Sequence, residues 1–260
     1  MAKVITVTNQ KGGVGKTTGS THIARAIREA GHTVLFVDFD SQGHGSLFLS
    51  HDMSLLRKPG GAEKLFDKPA DLKPIATRSG IDLLHGHSLL GTLDEGTKSS
   101  ADAVALNEYI HSLPYDYVVI DTPPSLLLRQ FAAIIWSDIL VVMSDTGQFS
   151  LTGVAAVKGV VDMLRANGYL NESFKFRVVF NRFDNKSATD QAVFSRFQQM
   201  YGDSVVQDTL PFSEAFKTVE ATREVIWELK YMPKRIRQLF QALPVAIGAM
   251  PAPVVAEAGE

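Results

Sequence analysis

Asn9-Gln10-Lys11-Gly12-Gly13-Val14-Gly15-Lys16-Thr17-Thr18 follows a short β-branched run, Val4 to Val7, and opens a helical pattern that stops at Gly31. A glycine-rich turn closed by Gly-Lys-Thr, between strand and helix, is the context of a phosphate-binding loop. Its glycines let successive N–H groups of Gly12, Gly13, Val14, Gly15 and Thr18 face a phosphate, and the helix adds the positive end of its dipole. Lys16 reaches the β- and γ-oxygens, and the Thr17 hydroxyl ligates Mg²⁺. The strict pattern wants glycine at Gln10 and makes no demand on Lys11. Here the chain departs from the ordinary loop.

Such a loop carries no acid, so a Mg²⁺-nucleotide site needs carboxylates at the ends of neighbouring strands. Two runs supply them: Val34-Leu35-Phe36-Val37-Asp38-Phe39-Asp40, and Tyr117-Val118-Val119-Ile120-Asp121. Asp121 reads as the acid that holds a Mg²⁺ water. Thr122-Pro123-Pro124 forms a stiff connection able to sense the γ-phosphate. Asp40 reads as the group that positions the attacking water. Asp38 is either a strand-end acceptor or a further metal ligand. The expected cofactors are ATP or ADP with Mg²⁺.

Working outward, further apolar runs at Ile81-Leu84, Ile139-Met143 and Phe176-Phe180 read as strands buried on both faces. Helical patterns over 17–30, 150–167, 188–200 and 213–222 lie among them, with a last helix from about Pro233. The alternation predicts an α/β fold, a doubly wound, mostly parallel sheet with helices on both faces. Residues 52–79, with Pro59, Gly60, Gly61, Pro69 and Pro74, read as a peripheral loop with short helical pieces. One domain is expected over 1–243, and 244–260 is expected to be a disordered tail.

Composition bounds the function. The 260 residues contain no cysteine, which excludes disulfides and cysteine-held iron–sulfur clusters. With 26 basic and 28 acidic residues the net charge is -2, so DNA binding would need a local patch. No secretory signal and no run of 18 apolar residues is found, so a cytoplasmic protein is expected. His85-Gly86-His87 and the other histidines lack zinc spacing and read as loop residues.

The phosphate loop, Asp38-Phe39-Asp40-Ser41-Gln42-Gly43, the Tyr115-to-Ser125 stretch and the later Leu210-Pro211 together resemble the ParA/MinD family of deviant Walker ATPases, over roughly residues 3–243. In that family the lysine matching Lys11 crosses to the partner's nucleotide, so the resemblance implies a homodimer closed on ATP. It places the catalytic aspartate on Asp40, with Lys11 and Lys16 as the catalytic cations. Asn181 and Pro211 fall in the region that approaches the adenine base. Ser41 and His44 stand where relatives usually have proline and asparagine, which implies an altered rate.

Within this family the chemistry is shared and the cargo differs. Iron–sulfur members need cysteine. A membrane-bound regulator ends in a basic amphipathic helix, whereas here the residues after Leu243 contain no Lys or Arg. The reading is a partition ATPase that binds double-stranded DNA non-specifically in its ATP form, on the nucleoid, with a ParB-like or other adaptor stimulating hydrolysis. Lys217, Arg235 and Arg237 are the expected DNA contacts. No helix-turn-helix precedes the first strand, so operator-specific repression is not expected. The alternative is a positioning ATPase for a non-DNA cargo, such as a chemoreceptor cluster or carboxysome, or a membrane-associated regulator.

Overall fold

The computed structural model describes residues 1–67, 71–96, 98–125 and 127–252. Seven strands form its sheet: β1 (Lys3–Thr8), β2 (Val34–Asp38), β3 (Ile75–Ala76), β4 (Asp82–Leu84), β5 (Tyr117–Asp121), β6 (Ile139–Ser144) and β7 (Lys175–Phe180). They lie in the order β3-β4-β2-β5-β1-β6-β7, and every pairing is parallel except β3 with β4. The expected doubly wound, mostly parallel sheet is therefore what the chain forms.

The helices are α1 (Lys16–Glu29), α2 (His44–Ser50), α3 (Lys64–Asp67), α4 (Ser100–Ala105), α5 (Asn107–Ser112), α6 (Leu128–Ile135), α7 (Ser150–Ala166), α8 (Ala188–Tyr201), α9 (Ala215–Thr222), α10 (Lys234–Gln241) and α11 (Leu243–Ala246). Alternation along the central strands feeds two apolar layers. Val4, Val118, Ile120, Leu140 and Val142 pack beneath α6, α7 and α8 through Ala132, Trp136, Val157, Val161 and Phe197. Ile5, Val7, Val119, Val141 and Met143 turn to the other face, where Ile23 and Ile27 of α1, Val219 of α9 and Phe240 of α10 cover them. Because both faces are covered, the strands read as continuous apolar runs rather than alternating ones.

Two differences from the sequence reading have physical causes. The 3₁₀ helix Ser88–Glu95 and the helices α4, α5 and α6 are not picked out in the sequence: none exceeds eight residues, shorter than the roughly 11–18 over which a helical period declares itself. The expected disordered tail does not begin at 244. Pro244, Ile247 and Ala249 are packed, with Ile247 wholly buried. Lys3 Nζ and the Tyr117 hydroxyl donate to the Ala249 carbonyl at 2.9 and 3.2 Å, Lys175 Nζ to Gly248 at 3.2 Å, and Arg177 Nε to Ile247 at 3.3 Å. These donors stand on β1, β5 and β7, three of them at the first residue of the strand, so they fasten the segment to the amino edge of the sheet. Residues 253–260 and Pro69 lie outside the described residues.

One buried histidine ties the loop helix to the late segment. His22 of α1 is wholly buried between Phe48, Trp227 and Phe240. Its Nδ1 donates to the Thr18 carbonyl at 2.7 Å, and its Nε2 accepts the Ile226 N–H at 3.0 Å. Both ring nitrogens are thus committed to the neutral form, and burial pushes the pKa down to about 4. Between pH 6.5 and 4 the unfolded chain takes up a proton here that the folded chain refuses. The contribution is present above pH 6.5 and is lost as the pH falls toward 4, by about 3 kcal/mol. Asp38, pushed up to about 6 by its burial, acts in the opposite direction from about pH 6 downward through the rest of that range. A comparison with His22→Gln cancels that carboxylate. The variant's unfolding free energy is expected to fall less than the wild type's between pH 6.5 and 4, by about 3 kcal/mol. Parallel denaturant curves at the two pH values would contradict this.

Candidate nucleotide site

The switch in strand order falls beside β1, which lies between β5 and β6, and the loops there open at the carboxyl ends of the strands. In an open α/β sheet that crevice is where ligands bind. The cleft has a volume of about 650 Å³, and its lining includes Gly12, Lys16, Thr17, Asp40, Pro123 and Arg129. Gly15 precedes α1 in the left-handed region at φ 94°, and a Cβ there would collide with the Asn181 side chain. Only glycine suits that position. Val14 points its side chain into the core, so it can serve a ligand only through its backbone. Its carbonyl accepts Asn181 Nδ2 at 3.0 Å.

The charged groups converge. Lys16 is nearly buried, and its Nζ donates to the Lys11 carbonyl at 3.0 Å. Burial holds its pKa below the ordinary value against the pull of Asp121 and Asp40. The Thr17 hydroxyl donates to Asp121 Oδ2 at 2.7 Å. Asp121 is wholly buried and its Oδ1 has no protein donor. Burial, then the neighbouring Asp38 charge, push its pKa well above the ordinary carboxylate range. A cation beside Thr17 would reverse that shift and supply the missing partner, so these residues fit a Mg²⁺ held by Thr17 and, through water, by Asp121.

Asp38 stands differently. Its Oδ2 accepts both the N–H and the hydroxyl of Ser46 at 2.7 Å, and its Oδ1 accepts the Asp40 N–H at 3.1 Å. Of the two readings open for it, this arrangement is that of a strand-end acceptor. Asp40 is partly exposed at the cleft, its Oδ1 accepting the Gln42 N–H at 2.9 Å.

Lys11 turns aside to Asp145, which follows β6, at 2.7 and 2.8 Å. Asp145 also accepts from the Ser150 hydroxyl and the Gly147 N–H. Burial would raise its pKa, but the Lys11 and Ser150 bonds hold it below the usual range. Sequence reasoning missed Asp145, although it has the strand-end position that singled out Asp38 and Asp121. It also missed Arg129, which carries no such signal.

A side recess of about 210 Å³ is lined by Gly15, Thr18, Asn181, Arg182 and Phe212, among others. The Asn181 Oδ1 is buried without a donor. Pairing of Phe183 with Pro211 brings the two segments together, but Phe212 and not Pro211 lines the recess. Lys217, beside it, is exposed and paired with exposed Glu214.

The remaining expected contacts diverge. Arg235 is exposed at the start of α10. Arg237 is not available as expected: its guanidinium donates to the carbonyls of Leu229, Lys230 and Met232. The imidazoles of His85 and His87 are engaged by the Lys58 carbonyl and by Glu63, and no metal cluster of three or more His, Asp or Glu occurs among the described residues. No helix among them is long and apolar enough to cross a membrane.

Comparison with known proteins agrees with this geometry. A family model described as AAA domain matches residues 2–176. The chain is 27% identical over 216 residues to the chromosome partitioning protein ParA of Caulobacter vibrioides, covering 80% of each chain. It is 27% identical over 221 residues to the sporulation initiation inhibitor protein Soj of Bacillus subtilis, covering 81% of this chain and 85% of that one. Cyanothece McdA, solved as a complex with ATP, superposes with a TM-score of 0.81 at 20% identity, covering 95% of this chain and 96% of that one. The chain belongs to this AAA-domain family and is a ParA-like P-loop ATPase.

Proposed function

We propose that two copies of this chain close on ATP, that the closed pair holds double-stranded DNA without regard to sequence, and that hydrolysis releases it. The cargo is a plasmid or chromosome, and a ParB-like adaptor stimulates turnover. Lys16 and the loop N–H groups grip the phosphates, Thr17 and, through water, Asp121 would hold a Mg²⁺ that would offset their charge, and Asp40 orients the attacking water. Asn181 offers its unpartnered Oδ1 to the adenine amino group.

The observation that carries the dimer is Lys11. It lies beside the phosphate loop, yet its side chain is about one third exposed and rests on Asp145 at the rim. An ion pair this accessible contributes at most about 1 kcal/mol. Exchange of Asp145 for a partner's triphosphate is therefore inexpensive.

For DNA the exposed cations are Lys217, Lys230, Lys234 and Arg235, on or beside α9 and α10. One subunit offers few phosphate contacts; a rigid pair doubles them. Binding to unrelated duplexes with ATP, ADP or no nucleotide, across a salt series, tests the reading. The ATP form is expected to bind all duplexes alike and ADP to release them. Lys217→Ala and the pair Lys234→Ala with Arg235→Ala should each lower the salt slope by about one per lost contact. Lys11→Ala should bind nucleotide yet sediment as a monomer with ATP. Equal DNA binding with ADP, or none at low salt, rejects the partition mechanism in favour of a non-DNA cargo.

A further inference from the structure

Asp40 is attached through a peptide unit held at both ends. The Asp40 N–H donates to Asp38, and the Phe39 carbonyl accepts Arg129 Nη1 at 2.7 Å. The preceding amide, Phe39 N–H, donates to the Asp121 carbonyl at 2.9 Å. Gly86 packs against the next carbonyl so closely that a Cβ there would run into Asp40 O. The backbone bearing the carboxylate thus has little freedom on any side.

Arg129 is itself braced. It is 5% exposed, the second residue of α6, and follows the Thr122-to-Ser125 turn, whose prolines line the cleft with it. Asp94 accepts its Nη2 at 2.7 Å, its Nε at 2.9 Å and its backbone N–H at 3.1 Å. The Asp94 side chain is 6% exposed. A buried guanidinium needs its charge matched, and Asp94 is its ion-pair partner among the described residues. The fourth contact, from Nη1 to the Phe39 carbonyl, adds nothing to charge balance. It ties the turn after β5 to the segment after β2.

We propose that Arg129, braced by Asp94, is a positioning residue that fixes the Phe39–Asp40 peptide and so sets the Asp40 carboxylate against the attacking water. This rests on the reading of Asp40 given above. Arg129 acts through the backbone and not on the reacting atoms, so its loss changes turnover and leaves the phosphate grip intact. The guanidinium fork is required, because a lysine ammonium is a single point charge and cannot hold Asp94 and the Phe39 carbonyl in the same geometry.

Two variants separate positioning from mere stapling. Arg129→Lys keeps the charge and loses the fork. The double variant Arg129→Met with Asp94→Leu removes the ion pair altogether and replaces it with apolar packing, which is often neutral for stability. ADP affinity, KM for ATP, kcat, and amide hydrogen exchange over residues 39–43 are measured for both and for the wild type. ADP affinity and KM should stay within about twofold, while kcat falls about tenfold or more, since small misplacements of a catalytic group are costly. Exchange over 39–43 should quicken without change in β5. Wild-type kcat in a folded double variant overturns the proposal, as does a loss of kcat that merely tracks a loss of ADP affinity. If every variant and the wild type lack turnover, the Asp40 reading fails. Unchanged exchange over 39–43 separately refutes the hold of Arg129 on that peptide.

Discussion

Lys16→Ala is expected to lose ATP and ADP together, with affinity down between about 30-fold and several thousand-fold. The range corresponds to about 2–5 kcal/mol for removing one member of a buried, hydrogen-bonded charge pair. The residue is 8% exposed and lies in the field of Asp121, wholly buried, and of Asp40. Without its ammonium, the incoming phosphates would meet that acidic cluster unshielded. Lys16→Arg should not rescue, because a planar guanidinium fork does not reproduce the compact point charge that Nζ places 3.0 Å from the Lys11 carbonyl. Titration with a fluorescent ADP analogue measures it. Affinity within about threefold of wild type would remove the phosphate loop from the grip on nucleotide.

Asp40→Ala separates binding from chemistry. The carboxylate lines the cleft but bonds only its own turn through the Gln42 N–H, so the grip on phosphate survives its removal. ATP affinity should change by no more than a few-fold while turnover falls by about 10²- to 10⁴-fold, the range for a lost acid–base or water-orienting group. The variant should remain dimeric and on DNA in ATP long after the wild type has let go. Phosphate release in single-turnover mode gives the rate directly. Turnover equal to wild type would mean that another group orients the water.

The fold was legible because a parallel sheet covered on both faces writes its strands as unbroken apolar runs, and because Gly15-Lys16-Thr17 marks a strand-to-helix turn by itself. The strand ends at Asp38 and Asp121 followed from the same logic. What escaped the sequence depends on folding partners far along the chain. Ser46 takes up the Oδ2 of Asp38, a strand-end contact that appears only in three dimensions. Arg237 looks like any surface cation in the sequence, yet it bends back onto three carbonyls. Arg129 stands beside Gln130 in a mostly apolar helix, and nothing in the order of residues says that it reaches Phe39, 90 positions earlier. The β3 strand of two residues is too short to leave a pattern.

The fastening of Ile247, Gly248 and Ala249 to the amino edge of the sheet has a practical side. Ala252, just beyond, is exposed, and a strand of five or six residues, about 17–20 Å, separates that edge from the phosphate loop. The chain has no cysteine of its own. Ala252→Cys would therefore carry a single thiol, on which a maleimide dye can be placed stoichiometrically, far from the nucleotide and three residues beyond a backbone that three cations fasten. Fluorescence anisotropy from such a label would report the tumbling of the whole molecule rather than of a loose end, and so could follow assembly in real time.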